Sequence, residues 1–95
     1  MNPGVVCFNV GGTLFYTSKK TLDSDPESVL SKLIQGKAPM IFDEQKNLFI
    51  DRNPKCFQEI LETYRDGSLY FPSHEKKRKR FIKEMRYYSS KAFLK

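Results

Sequence analysis

The largely apolar run from position 5 to position 10 reads as a strand, with Val6, Phe8 and Val10 on one side and Val5, Cys7 and Asn9 on the other. A period of two marks a half-buried strand. Gly11-Gly12 follows. A glycine pair accepts the positive φ angles of a two-residue hairpin turn, so residues 13–17 are expected to return as a second strand. The period then lengthens. Asp25-Pro26 reads as a cap-then-proline helix start, with Glu27 near the positive end of the helix dipole. Leu30, Leu33 and Ile34 form its apolar stripe and Gly36 its stop. A short strand is expected at 40–42, and then a turn at 43–47 in which Asn47 tolerates the left-handed region. Residues 48–50 read as a third strand.

Asn53-Pro54 repeats the helix-start signal, Phe57, Ile60, Leu61 and Tyr64 share one helix face, and Gly67 supplies a left-handed stop. The main helix is therefore expected over 54–66. Residues 68–72 read as an extended connection, and Ser73 as the cap of a last long helix. At 100° per residue, Phe81, Ile82, Met85 and Tyr88 cluster on one face of that helix. Lys76, Lys79, Arg80, Lys83 and Arg86 cluster on the opposite face. Tyr88 thus joins the core while Tyr87 points outward, and a short helical tail is expected beyond Tyr88.

The 95 residues make one domain, assigned to 5–95, without repeats or low-complexity linkers. A domain this small buries only about 60–65% of its unfolded surface. Eight Phe and five Tyr are many rings for so modest a core, so some are expected to be covered by another subunit. No apolar run approaches the roughly 20 residues of a membrane-spanning helix. The N-terminus lacks the charged flank and apolar stretch of a signal peptide. The expected location is the cytoplasm, with no membrane insertion. Cys7 and Cys56 fall in different elements without metal spacing, and read as buried or half-buried thiols rather than a disulfide.

Charge divides the chain. Residues 1–66 carry 8 Lys and Arg against 9 Asp and Glu, while residues 67–95 carry 9 against 2, so the net charge of +6 belongs to the C-terminal third. The ordinary reading of the basic face is the solvated back of a surface helix. Two details set it apart. The cations crowd the first turns, where the helix dipole disfavours them by about 0.3–1 kcal/mol each. Lys77 and Arg78 also fall on the core side. Either the helix packs only from Phe81 onward, or these cations meet carboxylates of the body or of a neighbouring subunit. The run Lys76-Lys77-Arg78-Lys79-Arg80 also has the composition of a nuclear-import signal, an anionic-membrane contact or a nucleic-acid patch, which extends the expected location to the nucleus. No recognition motif is present and the body is slightly acidic, which counts against nucleic acid as the primary partner.

Catalytic chemistry finds no foothold. The glycine pair matches neither G-x-G-x-x-G nor G-x-x-x-x-G-K-[ST], so it is not read as a phosphate loop. His74, the single histidine, opens the basic helix with no nucleophile motif beside it, and Asp43-Glu44 lies in a turn. The chain is not read as an enzyme, and no cofactor, metal or small-molecule substrate is expected.

One ordered set of residues carries more. Asn9, Gly11, Gly12, Phe15 and Thr17 are followed by Leu22, Pro26, Ser28 and Leu30. Then come Phe49, Asp51, Arg52, Pro54, Phe57, Ile60 and Leu61, Gly67, and finally Tyr87-Tyr88. Together these resemble the potassium-channel tetramerisation type of BTB/POZ domain, KCTD-like, over roughly residues 5–88. The resemblance implies an α/β (α+β) fold: a small three-stranded sheet with an N-terminal β-hairpin, packed against several helices. It implies head-to-tail assembly into rings, a homo-tetramer as in channels or a homo-pentamer as in soluble relatives. Several of those relatives serve as substrate adaptors for cullin ubiquitin ligases, so a cullin scaffold is a second partner to consider. Some channel domains bind zinc between subunits through a His and three Cys; with two Cys that arrangement is absent, and assembly here is expected without metal. A chain ending soon after Tyr88 with no membrane segment would, if complete, not itself be a channel.

Intersubunit faces in such domains are notably polar, which makes Asn9, Thr17, Asp51, Arg52 and Arg65 interface candidates, with Tyr87 as a further contact. Each also has a local reading. Asp51 and Arg52 would fix the strand-to-helix turn, and Asn9 would satisfy the hairpin backbone.

Overall fold

The N-terminal hairpin takes the register its two faces require. In the computed structural model, which describes residues 4–69 and 71–89, strand β1 (Val5–Val10) pairs antiparallel with β2 (Thr13–Ser18). Pairing runs from Val5 opposite Ser18 to Val10 opposite Thr13. Gly11 and Gly12 turn the chain with φ of 56° and 103°, values that L side chains seldom adopt. Strand β3 (Leu48–Ile50) lies parallel to β1 on its other side, giving the order β2-β1-β3. A parallel pair needs a long crossover. It is made by helices α1 (Lys19–Leu22) and α2 (Val29–Ile34) and the loop after them.

Helices α3 (Phe57–Asp66) and α4 (Glu75–Tyr88) pack against each other and close the core. Phe57 is the centre. Its ring lies 6.2 Å from Phe8, 4.8 Å from Phe15 and 5.2 Å from Tyr88 between centroids, in the tilted and edge-on arrangements that aromatic quadrupoles favour. Phe8, Leu22, Leu30, Ile60, Leu61, Phe81 and Met85 are fully buried around it. Burying a side chain of this kind stabilises by about 1.5–3 kcal/mol.

The helices begin later than the cap-then-proline pattern predicts. Asp25-Pro26-Glu27 form a turn closed by Ser28 N–H on the Asp25 carbonyl at 3.0 Å, and α2 is capped by Ser28, whose Oγ accepts from Ser31 N–H at 3.1 Å. Asp25 is engaged elsewhere: it is buried and its Oδ2 accepts from Ser89 Oγ at 3.1 Å. At the next start, Asn53 Oδ1 accepts from Lys55 N–H at 2.9 Å and Phe57 N–H donates to the Pro54 carbonyl at 3.0 Å, a tight turn that feeds α3. Ser73 does not cap α4. Its carbonyl accepts from Arg78 Nη1 at 3.1 Å, and His74 takes the cap position without a side-chain bond.

Three smaller expectations also change. Residues 40–42 make one bridge, Phe42 to Leu48, rather than a strand. The left-handed residue of the following turn is Lys46, φ 66°, because the Asn47 N–H and side-chain amide are both held by Asp43. Helix α1, whose start Ser18 caps through Thr21 N–H at 3.1 Å, has too short an apolar pattern to be read in advance. The tail expected beyond Tyr88 falls at 90–95, outside the described residues.

Candidate functional site

One sheet face packs on the helices; the other carries Val5, Cys7 and Asn9 of β1 beside their partners Ser18, Tyr16 and Leu14 of β2. Tyr16 is 61% exposed, and Leu14 and Val5 are exposed with it. The neighbouring Cys7 thiol raises the Tyr16 phenol above its ordinary range. β2 is an edge strand, and such edges invite pairing unless blocked. Arg65 partly blocks this one: its Nη2 donates to the Tyr16 carbonyl at 3.0 Å while Nη1 holds Glu62 at 2.7 Å.

At the opposite edge, beyond β3, the segment at 40–42 runs alongside, with Phe49 N–H donating to the Ile41 carbonyl at 2.7 Å. Met40, Ile41 and Phe42 are all exposed, Ile41 by 62%. Two uncovered apolar patches thus flank the sheet, one on β2 and one on the segment beside β3.

Polar residues tie the hairpin to this second edge. Asn9 Nδ2 donates to Asp43 Oδ2 at 2.8 Å, and Asn9 Oδ1 accepts from Gly12 N–H at 2.8 Å. Asp43 Oδ1 also accepts the N–H groups of Gln45 and Asn47, at 2.9 and 2.8 Å. The Asn9 amide, followed by these N–H donors, holds the Asp43 carboxyl below the usual range, since each bond favours the charged form.

Arg52 makes the firmest polar contact. Its Nε and Nη2 reach the Glu84 carboxylate at 3.0 and 2.7 Å, a two-point fork across 32 positions of sequence. Glu84 is 4% exposed. The bond to Glu84 raises the Arg52 pKa further, and the guanidinium lies 3.9 Å over the Tyr87 ring. Gly11 N–H donates to the Ile50 carbonyl at 2.9 Å, and a Cβ on Gly11 would come within 2.5 Å of the Arg52 carbonyl. The hairpin turn and the strand-to-helix turn are therefore in direct backbone contact.

The six positions singled out from sequence fall in different settings. Asn9, Arg52, Arg65 and Tyr87 line the outer surface with the bonds just given, and Asp51 is exposed beside Arg52. Thr17 is turned inward: at 7% exposure it sits on the core side of β2, and its hydroxyl has no hydrogen-bond partner among the described residues. The basic residues Lys76, Lys79, Arg80, Lys83 and Arg86 are all exposed on the back of α4. The reading from sequence missed Glu84, Asp43 and the exposed run at 40–42. Glu84 left a signal: it lies between the buried Phe81 and Tyr88, and a carboxylate flanking an apolar stripe demands a partner.

A hairpin joined to a parallel third strand, its glycine turn seated on the strand-to-helix turn and its outer face uncovered, defines a small interaction module. The chain belongs to the BTB/POZ domain family, whose profile it matches over residues 6–94. These domains are non-catalytic scaffolds, and among the described residues no cluster of His, Cys, Asp and Glu is placed to hold a metal. The chain is 45% identical over 67 residues to the BTB/POZ domain-containing protein KCTD21 of human and mouse, covering 70% of this chain and 26% of those proteins. It is 43% identical over 65 residues to human KCTD3, covering 68% of this chain and 8% of that protein. It is also 43% identical over 68 residues to bovine SH3KBP1-binding protein 1, covering 70% of this chain and 10% of that protein. It therefore spans about a quarter or less of the length of these relatives.

Proposed function

We propose that this chain is a homo-oligomerisation module that assembles head to tail into a closed ring of four or five copies. The observation that carries the reading is the pair of exposed apolar patches at opposite edges of the sheet, Leu14 with Tyr16 and Met40 through Phe42. Two unlike patches on one subunit suit a heterologous contact, in which the head of one copy meets the tail of the next and rotation closes the array. Asn9, Asp51, Arg52, Arg65 and Tyr87 would supply the polar part of that contact. A cullin-adaptor role rests on the family resemblance and would use a face the ring leaves free.

Complementation tests the head-to-tail geometry. Tyr16→Asp and Ile41→Asp each place a charge on one exposed patch without touching the core. Each variant alone is expected to be monomeric, and an equimolar mixture to form a heterodimer and nothing larger, because one intact head meets one intact tail. Two variants that both retain full assembly, or a mixture that stays monomeric, would contradict the proposal.

A further inference from the structure

The basic start of α4 is not used by the sheet-edge contacts, and its conformation narrows what it can bind. Residues 75–80 contribute no buried side chain, and the helix enters the core only at Phe81. Its first turns touch the body through the Lys77 carbonyl, 4.0 Å from the Cys56 thiol, while their side chains stay outside the core. Lys76, Lys77, Arg78, Lys79 and Arg80 are consecutive, so at 100° per residue they place positive charge on every side of the helix. Lys83 continues the outward line one turn further.

Counter-charge is sparse. Lys79 pairs with Glu75 at 3.2 Å, but Lys76, Lys77, Arg80 and Lys83 have no ion-pair partner among the described residues. Arg78 is half-buried and bonded to the Ser73 carbonyl. Lys77 and Arg80 also line a hollow of about 200 Å³ with Lys55, Cys56, Pro72 and the carboxylate of Glu59. That is three cations to one acid, so the positive surface continues past the helix.

We infer that this projecting basic helix binds the phosphodiester backbone of duplex nucleic acid. The alternatives fit the geometry less well. An import receptor reads an extended peptide, whereas this run is helical from Glu75 on. A bilayer is flat and meets one side of a helix, and the apolar residues that would enter it, Phe81, Met85 and Tyr88, are already in the core. A duplex major groove, about 12 Å wide, admits an α-helix and places phosphates on both walls, which suits a helix whose exposed cations spread well beyond one face. Helix α4 carries no Asn or Gln to pair with adenine, while its Arg and Lys side chains are the types that bind phosphate and guanine alike; the inferred contact is the one to the backbone, which carries no sequence information of its own. Phe71, 48% exposed and edge-on to Phe81 at 5.7 Å, flanks the site.

The test is fluorescence anisotropy with a labelled DNA duplex of about 20 base pairs and arbitrary sequence, titrated at several salt concentrations. Neutralising about five phosphates predicts that affinity falls roughly 500-fold between 50 and 200 mM salt. The variant Lys76→Gln/Lys79→Gln/Arg80→Gln/Lys83→Gln should bind much more weakly, with a salt response of only about fourfold. Circular dichroism should show it folded, since all four residues are exposed. The control Lys19→Gln/Lys20→Gln should bind as the parent does. No binding at 50 mM salt up to roughly 100 μM protein would overturn the inference. So would a quadruple variant with parental affinity, or binding to phosphatidylserine vesicles with none to the duplex.

Discussion

The Arg52–Glu84 fork decides most about how individual residues hold the molecule together. Removing one partner leaves the other's charge poorly compensated, which is far costlier than losing a surface pair. Arg52→Ala should destabilise by about 3 kcal/mol, the low end for such pairs, because the Arg52 side chain keeps 26% exposure. Urea unfolding measures it, and the double change Arg52→Met with Glu84→Leu should recover most of the loss. Gly11→Ala is a second sharp test. It combines φ of 56° with a Cβ 2.5 Å from a backbone carbonyl, so it should cost at least about 1–3 kcal/mol, more than Gly12→Ala, where the space is open. Asp43 gives a pH signature. Its folded pKa is depressed, so its contribution is fully present above the unfolded value near 4 and is lost as pH falls through the folded value. Asn9→Ala should therefore reduce stability at pH 6 more than at pH 2. Legibility at this scale followed distance along the chain. Phe57, Ile60 and Leu61 were readable because helical spacing is local. The partners of Arg52 and Asn9 lie 32 and 34 positions away, and no periodicity reports a contact that only the fold creates. Thr17 shows the same dependence on the fold: its family match says nothing of which face of β2 it occupies, and it lies on the inner one.

Among the elements, α4 is divided, and its halves should respond differently to mutation. Phe81→Ala should cost about 3–5 kcal/mol, since Phe81 is fully buried. Substituting Lys76 or Lys79 should change stability by less than about 0.5 kcal/mol. Equal sensitivity in both halves would show that the basic turns pack after all. The strands, the glycine turn and the apolar faces of the helices were legible because each expresses a period or a positive φ in its own residues. Helix starts were misplaced by three positions at both Asp25 and Asn53. There the Asx-Pro pair makes a turn before the helix, and in one case Asp25 is drawn off by Ser89.

For the whole molecule, Tyr64 and Tyr88 join the helices to the core, and burial raises both phenol pKa values well above 10. Their unfolded forms ionise near 10, so this stability is fully present below that pH and is lost as pH rises toward the folded values. Unfolding should become easier above pH 10, and Tyr64→Phe with Tyr88→Phe should flatten that response. The family and the architecture could be read from the ordered motif residues; the two exposed edge patches needed the topology, because Tyr16 and Ile41 become opposite ends only once β1 and β3 pair in parallel. The most direct test of the assembly is the absolute mass of the protein by light scattering after size exclusion, over a concentration series. Ring assembly predicts four or five times 11.1 kDa, holding steady on dilution until the ring dissociates. A mass of 11.1 kDa at every concentration would contradict it.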